Sequence, residues 1–216
     1  MDFDKAYELI GGLSKPSKMP WYSWSTPASK CQTGGKLQQK AGSVCEGCYA
    51  MKGFYHMPNV KNAMDRRFAA ITHPDFVEAF VTVLDAFHKS SKTGENRFRW
   101  HDSGDIQSVD HMNRINEIAL RLPHIRFWLP TKEASIVGHW LKRHPAGFAP
   151  NLVVRLSHPM IGQTFTKAPS DLPFSTVGFT GKGVKQCPAM AKQGNKCLDC
   201  DTCWKRTVKA VNYPLH

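Results

Sequence analysis

No stretch of the chain approaches the run of about 20 apolar residues that a membrane-spanning helix needs, and the opening MDFDKAYELIGG is acidic, without a signal-like apolar segment. Both absences point away from a membrane and toward the cytoplasm. Acidic residues are scarce: 17 Asp and Glu stand against 29 Lys and Arg, a formal net charge of +12. Such a surface attracts polyanions through counterion release, so a nucleic acid or nucleotide is the expected partner. Cysteine is missing from the whole middle of the chain, between Cys48 and Cys187. In a reducing compartment thiols read as metal ligands or redox groups before disulfides, and seven of them cannot all pair.

Hydrophobic residues at 41% and charged residues at 21% exclude disorder across the chain, and 216 residues suffice for one sizeable core. The cysteines fall into two groups. Cys45 and Cys48 lie in VCEGCYAMKG, where the C-x-x-C spacing lets both sulfurs reach one metal centre. Cys31 precedes them by a thirteen-residue spacer, QTGGKLQQKAGSV. A loop of that length still closes, because closure entropy rises slowly with length. In the second group, Cys187, Cys197, Cys200 and Cys203 are separated by nine, two and two residues within CPAMAKQGNKCLDCDTCW. Four thiolates can ligate iron as in ferredoxins or close a tetrahedral zinc site.

Periodicity predicts strands over 19–29, 96–105, 124–133, 151–159 and, as the last one, 174–181. Helices are expected over 57–72, 73–90 with Pro74 in the first turn, 109–122 and 135–144. The alternation indicates an α/β fold of parallel βα units over 1–181, followed by a four-cysteine metal-binding tail, 182–216. Ligands on such sheets bind beyond the carboxyl ends of the strands. Polar residues gather there in HDSGD, TKE and RLSH. Asp102 and Asp105 are candidate catalytic carboxylates, able to act as bases or to bind amino groups. Gly104, beside Ser103, would permit close backbone approach to a ligand, and Gln107, Lys132, Glu133 and Arg155 would face the cofactor or substrate.

A strand, a three-cysteine loop ending in C-x-x-C plus an aromatic, and then a helix resembles the start of radical S-adenosylmethionine enzymes, which use partial βα barrels. That resemblance implies a four-iron, four-sulfur cluster held by Cys31, Cys45 and Cys48, with one iron left for S-adenosylmethionine, whose amino group would meet Asp102 and Asp105. It departs from that family's pattern in the spacer after Cys31, where three residues are usual. The segments CEGCYA, FRWHDSGDIQS, RFWLPTKE and NLVVRLS, in this order, also look like the phage "gene product 88" family, and that likeness covers most of the chain. It implies a phage protein working in the host cytoplasm. Beside the three-cysteine site, the tail cysteines read as a second cluster, with zinc the alternative.

HDSGDIQ is also similar to the D-S-G-x-x-Q segment of tRNA-guanine transglycosylases, which are zinc-bearing βα-barrel enzymes. That likeness implies a phage deazaguanine transferase in which Asp102 contacts the base, Gln107 reads its edge and the tail holds zinc. It leaves Cys31, Cys45 and Cys48 without a task. A third reading is a metal-stabilised nucleic-acid-binding module. Arg66, Arg67, Lys89, Lys92, Lys142, Arg143, Lys205 and Arg206 would then meet phosphates, with Trp21, Trp24 or Trp204 stacking on bases.

Overall fold

In the computed structural model, which describes residues 1–166 and 171–215, seven strands form one sheet in which every pairing is parallel. The strands are β1 (Ser23–Trp24), β2 (Arg97–Trp100), β3 (Arg126–Thr131), β4 (Leu152–Ser157), β5 (Phe174–Val177), β6 (Lys185–Gln186) and β7 (Ala210–Tyr213). Their spatial order is β1-β2-β3-β4-β5-β7-β6. The first five are neighbours in chain order, the winding expected of a βα barrel, but β1 and β6 remain edges, so the barrel is not closed. The expected α/β parallel architecture is present as an open sheet.

The helices are α1 (Phe3–Leu9), α2 (Gln32–Leu37), α3 (Pro58–Ala70), α4 (Phe76–Lys89), α5 (Val109–Arg121), α6 (Ala134–Arg143) and α7 (Ala189–Lys192). Helix α4 buries Phe76, Phe80, Val83 and Leu84, one stripe at helical spacing, against Trp24, Phe98, Trp100 and Phe127. Ser108 caps α5 by accepting the His111 backbone N–H at 3.0 Å. Pro74 lies just before α4 in the turn that leads to it, and it is Pro58 that opens a helix, α3.

Along the strands the side chains alternate between two environments. Phe98, Trp100, Phe127, Leu129, Val154 and Leu156 enter the helix-side core, whereas Trp128 belongs to a separate small cluster with Cys203 and Trp204. The face opposite the helices is therefore covered by the C-terminal segment. Two expectations need correction. The strand over 19–29 shrinks to Ser23–Trp24, because Pro20 and Pro27 bracket it and cannot donate to a ladder. The strand within 174–181 is not the last: β6 and β7, from the segment set aside as a tail, complete the sheet.

Candidate functional site

The chain between β1 and α3 carries Cys31, Cys45 and Cys48, and it is tied to the carboxyl ends of β2, β3 and β4. Glu133, after β3, accepts the Thr33 backbone N–H at 2.8 Å and the Thr33 hydroxyl at 2.6 Å. A carboxylate placed there satisfies a free amide at the start of α2, immediately after Cys31. The Gln32 side-chain amide donates to the Gln107 carbonyl at 2.7 Å. Further on, Val44 N–H donates to Pro159 O at 2.9 Å and Ile161 N–H to Gly42 O at 3.0 Å, around an antiparallel bridge between Ser43 and Met160 just beyond β4. Next to Cys48, the Tyr49 hydroxyl donates to the Asp102 carbonyl, and the Tyr55 hydroxyl donates to the Asp102 carboxylate at 3.2 Å.

This anchoring gathers the three thiols. A Cβ built on Gly34 would lie 3.0 Å from Cys31 Cβ, 3.6 Å from Cys31 Sγ and 3.7 Å from Cys45 Sγ, so Gly34 packs closely on Cys31 and has both sulfurs beside it. Burial, followed by Asp105, Cys48, Cys45 and Glu133, pushes the Cys31 thiol up to about 12. Burial also raises Cys45, while Lys132 opposes it. Thiols and carboxylates near one another in a part-buried place repel when ionised, unless a cation offsets them. Among the described residues no group of three or more His, Cys, Asp or Glu side chains is closed into a metal-ligand set. The donors share a neighbourhood without having converged.

The expected rim residues divide by task. Asp102 stays partly open, its carboxylate accepting from Ser23 at 2.8 Å, from Ser25 and from Tyr55. Lys132 is also part-exposed. Asp105 is buried and accepts from Thr131 Oγ1 at 2.6 Å, Ile106 N–H at 2.8 Å and Lys132 N–H at 2.9 Å. Burial outweighs these bonds and lifts its carboxyl to about 6. It stitches β2 to β3 beneath the cysteine loop.

Other residues take partners different from the ligand expected of them. Gly104 adopts φ +78°, and a Cβ there would come within 2.6 Å of the Thr26 carbonyl; its close approach is to the chain leaving β1. Ser103 joins the same seam, its hydroxyl donating to Thr26 O at 3.1 Å. The Gln107 side chain folds back to donate to Asp105 O at 2.7 Å. Arg155 is wholly buried on the face opposite the helices and donates to the carbonyls of Phe174, Val208 and Lys205, because its strand faces the C-terminal segment rather than the rim.

The surface proposed for a nucleic-acid module changes as well. Trp21, Trp24 and Trp204 are buried and cannot stack on a base. Arg67 is buried, donating to the Gly11 and Gly12 carbonyls and to Ser14, and Arg206 donates to the carbonyls of Phe148, Ala149 and Leu152. Instead, Tyr49 and Phe54 are exposed, at 58% and 79%, on turns flanking Lys52 and adjoining the cysteine loop. Ser23, Ser25 and Tyr55 also border the site, as does Arg99, whose guanidinium lies 4.6 Å over the Trp128 ring. The alternation in YSWS and RFRW sets Ser23, Ser25 and Arg99 opposite Trp24, Phe98 and Trp100 and is their signal in the sequence; Tyr55 has none.

A family model described as Gene product 88 matches residues 11–206. No curated protein and no solved structure matches.

Proposed function

The chain belongs to the Gene product 88 family of bacteriophage proteins, and for this member we propose the function of an iron–sulfur enzyme of radical S-adenosylmethionine type acting on a nucleotide or nucleic acid. The observation that carries the reading is the gathering of Cys31, Cys45 and Cys48 over the carboxyl ends of adjacent parallel strands, with the sulfurs of Cys31 and Cys45 both beside Gly34. Three thiolates would hold a four-iron cluster and leave one iron without a protein ligand. Bound there, the cluster would supply single-electron chemistry to S-adenosylmethionine.

The chain's own groups have separate tasks on this reading. Glu133 and Asp105 hold the loop and strand ends in register. The Asp102 carboxylate, oriented by Ser23 and Tyr55 and still part-open, complements a cationic amino group. Tyr49 and Phe54 offer apolar faces to a base, and the charge of +12 favours a phosphate-bearing substrate.

The test is protein prepared without oxygen. About four irons and four sulfides bound through the first three cysteines, lost in Cys48→Ala, are expected. S-adenosylmethionine should bind the loaded protein and bind about tenfold more weakly to Asp102→Asn, a loss of about 1.4 kcal/mol. Loaded protein that does not bind S-adenosylmethionine overturns the reading, and base exchange by iron-free protein would favour the transglycosylase.

A further inference from the structure

Residues 181–200 pose an energetic problem. None of them is buried, and two residues other than glycine, Asn195 and Leu198, hold left-handed backbone at φ 64° and 44°. Fixing each backbone costs on the order of 1–2 kcal/mol, and this segment has little apolar burial to offset it. What it has instead is thiols. Cys187, Cys197, Cys200 and Cys203 line one cavity of about 20 Å³, walled by Trp204 and Val211. That is room for one ion or one water.

The backbone around this cavity is set in place. Cys187 N–H donates to Asn212 O of β7 at 2.8 Å, Cys197 N–H to Lys18 O at 2.9 Å and Cys200 N–H to Cys197 O at 2.9 Å. Arg97 donates to the carbonyls of Leu198 and Cys200 at 3.1 and 3.2 Å. The charges differ from those at the first cysteine site. There the thiols meet carboxylates; here Arg97 and Arg99 lie within electrostatic reach of Cys197, and Arg155 of Cys203.

We infer that Cys187, Cys197, Cys200 and Cys203 form a closed site for a single divalent ion of the zinc class, which fastens residues 181–206 to the sheet face opposite the helices. One divalent cation would replace four thiol protons, leaving a complex of net charge −2 that the guanidinium groups of Arg99 and Arg155 offset, Arg97 being paired with Glu95. The ion supplies the attraction that draws the four sulfurs, already around one cavity, to bonding distance. This site stands independently of the function proposed for Cys31, Cys45 and Cys48.

The test is metal uptake by the variant Cys31→Ser, Cys45→Ser, Cys48→Ser, which keeps only these four thiols. One zinc per chain is expected, with all four thiols unreactive toward a thiol reagent until a chelator removes the ion and the melting temperature falls with it. Absence of uptake, or binding with the thiols still reactive, overturns the inference. Should that variant fail to fold, cobalt offered to the intact metal-free chain decides. The intense visible absorption of a tetrahedral four-thiolate complex, lost in Cys200→Ser, supports the site, and a weak octahedral spectrum, or a tetrahedral one that survives Cys200→Ser, overturns it.

Discussion

Gly104 illustrates how a residue can be legible in kind while its neighbour is not. A glycine between two polar strand-end residues announces a backbone that needs freedom, but the sequence cannot say what comes close. Here the neighbour is Thr26, and both the positive φ and the contact forbid a side chain. Gly104→Ala should cost at least about 3 kcal/mol, visible as a lower urea midpoint, since strain and overlap act together. An unchanged midpoint would remove the seam between β1 and β2 from the account. The two buried histidines set a second expectation. His111 is pushed down to about 3 and His101 well below its ordinary value, both chiefly by burial, and neither His101 ring nitrogen has a hydrogen-bond partner among the described residues. The unfolded chain takes up protons at these residues near pH 6.5 while the folded chain refuses them, so stability should fall as pH drops from about 6.5 toward 3. Asp105 acts the other way. Its carboxyl keeps a proton up to about 6 when folded, so its contribution is present at low pH and lost as pH rises through 6. Two imidazoles outweigh one carboxyl, and urea midpoints measured at pH 7.5, 5.5 and 4.5 should decrease in that order. A flat series would contradict the burial of both rings as neutral groups.

The elements that the sequence disclosed are those with strong periodicity. Helices α4 and α5 and strands β3 and β4 carry apolar stripes or runs long enough to be distinguished, and the three-cysteine loop is marked by its own spacing. Strands β6 and β7 were not legible, because two and four residues, KQ and AVNY, carry no pattern apart from their neighbours. What makes them strands is pairing supplied from elsewhere in the chain. Asn212 shows how. Its side-chain carbonyl accepts from Thr176 Oγ1 and from Phe179 N–H, both at 2.9 Å, and its amide donates to Gln186 at 2.7 Å, so one buried residue of β7 joins β5 and β6. Asn212→Ala would strand several buried donors and acceptors and should cost about 1–3 kcal/mol. For a chain of this size that lowers the melting temperature by several degrees, and calorimetry is the check. No change would mean that backbone pairing alone holds the edge. The candidate site was half legible for a related reason: residue types at strand ends can be read from sequence, but which of them point into seams and which remain open depends on contacts across long separations, such as Glu133 with Thr33.

At the scale of the whole molecule, the two cysteine groups sit in different electrical surroundings within one basic protein. Asp105 and Glu133 lie near the first, beside Lys132, and Arg97, Arg99 and Arg155 near the second, with Arg97 paired to Glu95, so a single net charge describes neither. The order of the sheet also governs how the chain can be made. Strand β7 leaves the ribosome after β6 yet lies between β6 and β5, with thirty-two residues separating the end of β5 from its start. At synthesis rates of about 5–20 residues per second, β5 presents an open pairing edge for about 2–6 s before its partner exists. During the same interval β6 has nowhere to dock, and Cys187 emerges well ahead of the other three tail thiols. The nascent protein therefore passes through a brief stage with a bare sheet edge, which the arrival of one short strand covers.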